Sequence, residues 1–384
     1  MKKNNFEEIS KKALWLHKKT HGKFSIQSKI PIRGSKDLQL VYTPGVGAVS
    51  SFLAKHPKEV RNYTMKRNSV AVVSDGSAVL GLGNIGPEAA LPVMEGKCIL
   101  FKKFADIDAV PVVLATQDTD EIVRTIKIIA PAFGGINLED ISAPRCFAIE
   151  ERLKKELQIP VMHDDQHGTA IIILAGLLNA LKVVGKKLAE VHIVISGAGA
   201  AGTAITKILL KEGAQKIIVC DSKGIISSLR KNLSRDKKEL ARLTNRKKIA
   251  GNLARAMQGA DVFIGVSAPG IVSEAMVQGM AKNAVVFALA NPIPEIMPDI
   301  AKRAGAKVVA TGRSDFPNQV NNSQVFPGVF RGALDNNIRH ITDAMKLRAA
   351  HAIAGLVSRP TTNSIVPGMF DARLVKAVAK EMRD

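Results

Sequence analysis

Apolar residues recur along this chain at two spacings. Near the N-terminus, Phe6, Ile9, Ala13 and Leu16 fall at helical spacing in a charged stretch and predict an amphipathic helix. Short β-branched runs follow. VAVVS (Val70–Ser74), CILF just after Lys97, AVPVVL, GGINLED and Pro160–His163 each predict an extended segment. Helices are predicted over Asp120–Ala130 and from Pro144 to Leu157, the proline suiting a first helical turn. A long apolar helix is predicted from His167 to Val184. Beyond Val191, the runs VHIVIS, KIIVCD, DVFIGV, AVVFALA and AKVVA alternate with helical segments, among them Ala200–Lys211 and a basic stretch reaching Met257. Such alternation indicates a largely parallel sheet with helices on both faces. From Val329 the chain reads as helices.

Composition narrows the class. At 384 residues there is enough chain for two domains, and 46% hydrophobic with 23% charged residues is globular. Cys98, Cys146 and Cys220 are odd in number and far apart, which argues against a disulfide framework and for a reducing compartment. The N-terminus lacks the apolar core of a signal peptide, and the run Ala170–Leu178 is too short to span a bilayer. We therefore expect a cytoplasmic protein with no membrane partner. The net charge of +21 raises nucleic-acid binding as a reading. However, the lysines are dispersed apart from one cluster starting at Lys231, and 4% aromatics leaves little for base stacking. A solvated basic surface that attracts anionic substrates fits better, so no nucleic-acid partner is expected.

Two G-x-G-x-x-G matches occur. The second, Gly197-Ala198-Gly199-Ala200-Ala201-Gly202, follows a predicted strand, opens a predicted helix, and has Asp221 ending the next strand. Its glycines let backbone approach a pyrophosphate at a helix N-terminus, and Asp221 is placed for a ribose hydroxyl. Ser222 and Lys223 beside it could accept a 2′-phosphate, so NAD and NADP both stay open. The first match, with Gly81, Gly83 and Gly86, lacks such an acid and reads as a substrate-side loop. Glu139, Asp140 and Asp165 lie at element junctions; each alone is an ordinary helix cap, and together they suit Mg²⁺ or Mn²⁺. Lys97 is expected at the entrance to a strand, where desolvation would lower its pKa and make it a base, or its chain would snorkel to solvent. Tyr42 alone is uninformative. Asn291, Asn321 and Asn322 stand where amides bind a ligand or form turns.

These stretches together resemble the malic enzyme family in its short bacterial form. The matches are YTPGVG, SDGSAVLGLGNIG, EGKCILFK, NLEDISAP, HDDQHGTA, SGAGAAG, ANPIPE and NQVNNSQVFPG, from Tyr42 to Gly328 in the family's order. The resemblance implies an α/β protein with a substrate and metal domain over 1–165, a doubly wound Rossmann-type NAD(P) domain over 166–330 and C-terminal helices over 331–384. It implies oxidative decarboxylation of malate to pyruvate and CO₂, with a homodimer as the expected assembly. Lys97 would take the C2 hydroxyl proton, Tyr42 would protonate C3, and Asp164 would tune the lysine. Glu139, Asp140 and Asp165 would hold the cation, and Asn291 and Asn322 would hold substrate and nicotinamide. Departures are Ala78, where larger members carry arginine, Phe316 in place of a common tyrosine, and Ser323 in place of an apolar residue. A malolactic enzyme releasing lactate is the same-fold alternative, and a basic nucleic-acid binder with a vestigial dinucleotide fold is the alternative from another class.

Overall fold

The computed structural model describes residues 3–79 and 81–383, with side chains from Glu7 onward. The first helix, Lys3–Thr20, forms, but Phe6 lies outside the described side chains, and Ile9 and Leu16 of its predicted apolar face are about half exposed.

Two sheets order the rest. β1 (Ser69–Ser74), β2 (Asp108–Val113), β3 (Gly135–Leu138) and β4 (Val161–His163) form a parallel sheet in the order β2-β1-β3-β4. The second sheet contains β5 (His192–Ser196), β6 (Lys216–Asp221), β7 (Gly224–Ile225), β8 (Val262–Gly265), β9 (Val285–Ala288) and β10 (Val308–Thr311). Its order is β10-β9-β8-β5-β6-β7, parallel except for the short β7. Strand order reverses at β5, which opens a crevice beyond the strands' C-terminal ends. Strands β1, β3, β4, β8, β9 and β10 are buried throughout, as a sheet covered on both faces requires of its mainly apolar strands.

The helix Asp164–Val184 leads from the first sheet towards the second. By length and composition it could cross a bilayer, but 67% of its most apolar window is buried inside the protein. It is a core helix, packed against the helices Ala200–Lys211 and Asp343–Gly355. One apolar core runs through it, joining Val70, Met94 and Phe101 on one side to Ile193, Val285 and Phe287 on the other.

Three local expectations are corrected. CILF is not a strand but the end of the helix Pro87–Ala105, whose buried face is Ala90, Met94, Lys97, Cys98, Phe101 and Ala105. That is a 3.6-residue repeat, which a four-residue apolar window conceals. The long helix starts at Asp164 rather than His167, with His163 as its N-cap, so DDQH forms its first turn. The basic stretch breaks into two short helices, Arg235–Leu243 and Leu253–Met257.

Candidate active site

Acids and lysine meet where β3, β4 and two helix segments converge. Glu139 and Asp140 follow β3, and Asp164 and Asp165 open the helix after β4. β3 and β4 are hydrogen-bonded neighbours, so acids 25 residues apart in sequence become adjacent in space. Carboxylate oxygens of Glu139, Asp140 and Asp165 lie within 4.8 Å of one another. Asp165 also accepts the Asp140 backbone N–H at 2.8 Å, and Asp140 takes a left-handed backbone (φ 53°) to turn towards it. An all-oxygen, triply anionic set of this size fits a hard divalent cation.

Lys97 enters from the helix Pro87–Ala105. It is 9% exposed, donates to Asp164, and sits 2.9 Å from Glu139. Its ammonium also lies 4.3 Å from the centre of the Phe326 ring. Burial works against the charged lysine, but Asp164, Glu139 and Asp165 outweigh it and raise its pKa. The expectation of a lowered pKa is therefore reversed: desolvation is present, and the acids around the lysine are stronger. The same burial pushes the Asp164, Asp165 and Glu139 carboxyls up, opposed chiefly by Lys97. Asn137, two residues before Glu139 and so on the same side of β3, donates to it at 3.0 Å. Strand alternation alone would have flagged that amide; nothing local flagged Phe326.

Asn322 lies at the same helix start. A Cβ on Gly168 would fall 1.9 Å from Asp164 Oδ1 and 3.2 Å from the Asn322 Cβ, so only glycine allows that approach. Asn291 stands beyond β9 against the first glycine loop, with its carbonyl 2.2 Å from where a Gly81 Cβ would be. Tyr42 is not gathered in: its side chain is 65% exposed on a segment without buried helical residues.

The second glycine loop forms the dinucleotide end. Gly197 takes φ +117°, Gly199 caps the helix that Ala200 and Ala201 begin, and a Cβ on Gly202 would collide with the Gly197 carbonyl at 1.8 Å. Beside it opens a cleft of about 1120 Å³ whose walls include Gly197, Gly199, Asp221 and Lys223. Asp221 ends β6 and was expected to face a ribose. It does line the cleft, but it also accepts Arg230 at 2.9 and 3.1 Å and Lys237 at 2.6 Å. Burial acts against the carboxylate, yet those hydrogen bonds hold its pKa at about 2. Sequence reading missed Arg230 and Lys237, because the loop carrying Arg230 and the helix Arg235–Leu243 carrying Lys237 return to Asp221 only through the tertiary fold, for which spacing gives no signal.

A Rossmann-type glycine loop with its cleft, together with a buried lysine among clustered acids, fits an NAD(P)-dependent oxidoreductase. Comparison with known proteins makes this specific. Residues 21–154 match the malic enzyme N-terminal domain, and residues 166–382 match the malic enzyme NAD-binding domain. The bifunctional malic/malolactic enzyme of Bacillus subtilis is 56% identical over 97% of this chain and 92% of its own length. The NAD-dependent malic enzyme of Geobacillus stearothermophilus is 56% identical over 93% of this chain and 75% of its own. The crystal structure of an NAD-dependent malic enzyme from Thermotoga maritima superposes with a TM-score of 0.93 at 47% identity, covering 96% of this chain and 98% of that one. The chain belongs to the malic enzyme family, the NAD(P)-dependent decarboxylating malate dehydrogenases.

Proposed function

We propose that malate is oxidatively decarboxylated at the junction of Lys97, Glu139, Asp140, Asp164 and Asp165, with Asn291 and Asn322 orienting substrate and nicotinamide. Bound Mg²⁺ or Mn²⁺, held by Glu139, Asp140 and Asp165, would supply Lewis-acid polarisation of substrate oxygens. NAD(P)⁺ along Gly197, Gly199, Ala200, Ala201, Gly202 and Asp221 supplies the two-electron acceptor. Lys97, which pairs as an ammonium with Asp164 and Glu139, first passes a proton to Asp164, and the neutral amine then takes the proton from the C2 hydroxyl. When Glu139 and Asp165 are engaged with a cation, they no longer fix the proton on Lys97, leaving Asp164 as its main partner. Tyr42 returns a proton to C3 after CO₂ has left. In this reading, residues 1–165 bind substrate and cation, 166–330 bind the dinucleotide, and the helices of 331–384 pack against both.

One observation carries the proposal: a buried ammonium held between Glu139 and Asp164, within a carboxylate set compact enough for one cation. The test is incubation with L-malate, Mn²⁺ and either dinucleotide, following cofactor absorbance and assaying the acid formed. Pyruvate equal to the reduced cofactor is expected. Lactate without net reduced cofactor would replace this reading with the malolactic one.

We propose that two copies of the chain assemble as a homodimer. Between Lys29, paired with Asp108, and Arg61, bonded to the Leu334 carbonyl, the chain exposes Ile30, Ile32, Leu38, Leu40 and Tyr42 at 48–75%. Apolar exposure concentrated on one such arm marks an association surface.

A further inference from the structure

The acidic pair Asp164-Asp165 is held from behind by a residue that plays no part in the chemistry above. Glu150, on the helix Arg145–Glu156, is 5% exposed. Its Oε1 accepts the His163 backbone N–H at 3.0 Å and lies 2.7 Å from Lys154 Nζ. Its Oε2 is 3.0 Å from His167 Nε2 and 3.5 Å from Gln166 Nε2. Glu150 thus touches the chain immediately before Asp164 and immediately after Asp165. No side chain of the helix's own caps its start at His163, so the carboxylate fixes that turn from another element. On the opposite side, Asp164 is held by Lys97 and Asp165 by the Asp140 N–H.

We propose that Glu150 is a positioning residue for the cation site, setting where Asp164 and Asp165 stand by clamping His163, Gln166 and His167. This rests on the reading that Asp165 helps to hold a divalent cation. Burial disfavours the Glu150 charge, but His167 and Lys154 hold its pKa well below the usual carboxylate range, so it is an anion at working pH. A glutamine there has nearly the same shape, keeps one acceptor oxygen, and loses both the charge opposite Lys154 and the second acceptor. Outer groups that orient metal ligands cost about 10–100-fold in metal affinity or activity when altered.

The experiment uses the full chain and three variants, Glu150→Gln, His167→Gln and Asp165→Asn. Measurements are the Mn²⁺ Kd by calorimetry without substrate, kcat and KM for malate and cofactor, and the Tm of cation-free protein. For Glu150→Gln, an Mn²⁺ Kd raised about 10–100-fold is expected, with kcat recovering at saturating Mn²⁺ and cofactor KM unchanged. His167→Gln, which loses one contact of the clamp, should raise the Kd less and serves if the first variant does not fold. A lowered Tm with parental Mn²⁺ affinity in either variant would make Glu150 merely structural and overturn the proposal. Asp165→Asn separates the two layers. If it loses Mn²⁺ while Glu150→Gln does not, the positioning role alone fails; if it binds Mn²⁺ like the parent, the cation reading fails and this inference with it.

Discussion

At the scale of single residues, Lys97 has the most at stake, because its charge is set by neighbours that a cation would engage. Lys97→Ala is expected to lower kcat by about 10²–10⁴-fold, the usual worth of a positioned acid–base group. The dinucleotide Kd, measured by fluorescence of the reduced cofactor, should change less than about threefold, since the partners of Lys97 are Asp164, Glu139 and Phe326, all outside the second glycine loop. Near-parental kcat would remove the lysine from its proposed role. His167 gives a pH signature of a different kind. Its burial, only partly offset by Glu150, lowers the native pKa to about 4 from 6.5. The native ring stays neutral where the unfolded ring takes a proton, so the unfolded state binds more protons in that window. Stability therefore falls as pH drops from 6.5 towards 4, by at most about 1.4 kcal/mol per unit. The raised carboxyls of Asp164 and Asp165 act with opposite sign, so the measurement is a difference. Urea midpoints at pH 7, 5.5 and 4.5 should fall less steeply in His167→Gln than in the parent, and parallel slopes would refute the assignment.

At the scale of elements, the loop and short helix after β6 decide which dinucleotide is read. Asp221 ending a strand after a glycine loop signals a ribose hydroxyl, but Arg230 and Lys237 fold back onto it and turn the corner cationic. The parent is expected to turn over with both NAD⁺ and NADP⁺. Arg230→Ala should lower kcat/KM for NADP⁺ at least about tenfold, since a charge-assisted contact is worth about 1.5–3 kcal/mol, while changing the NAD⁺ value far less. Equal losses would mean that Arg230 only supports the loop. The same corner shows what a sequence makes legible. The strands β5, β6, β8, β9 and β10, the helix Ala200–Lys211 and the acid pairs were readable, because each follows from local period or a motif at an element boundary. CILF was misread because four apolar residues fit either period, and only Ala90, Met94 and Ala105 reveal the helix. Arg230 on Asp221, Phe326 under Lys97 and Glu150 behind His163 depend on tertiary return of the chain, for which spacing gives no signal.

At the scale of the whole molecule, the one proposed proton donor is stranded. Lys97, Asp164 and the three carboxylates proposed to hold the cation converge within this chain, whereas Tyr42 sits 65% exposed on an arm whose apolar residues are 48–75% exposed. If two copies associate through that arm, Tyr42 of each can complete the site of the other, and neither site works without the contact. Subunits carrying Lys97→Ala and Tyr42→Phe would then complement. In the mixed dimer one site combines both defects and the other has neither. Co-expressed with different tags and assembled at random, the two variants should recover roughly a quarter of parental kcat per subunit, because half of C2 dimers are mixed and each holds one intact site. The separately purified variants should stay near background. Should the mixed dimer, isolated through both tags, be no more active than its parents, Tyr42 would have to act within its own subunit, and the arm would need to fold back onto its own cleft when substrate binds.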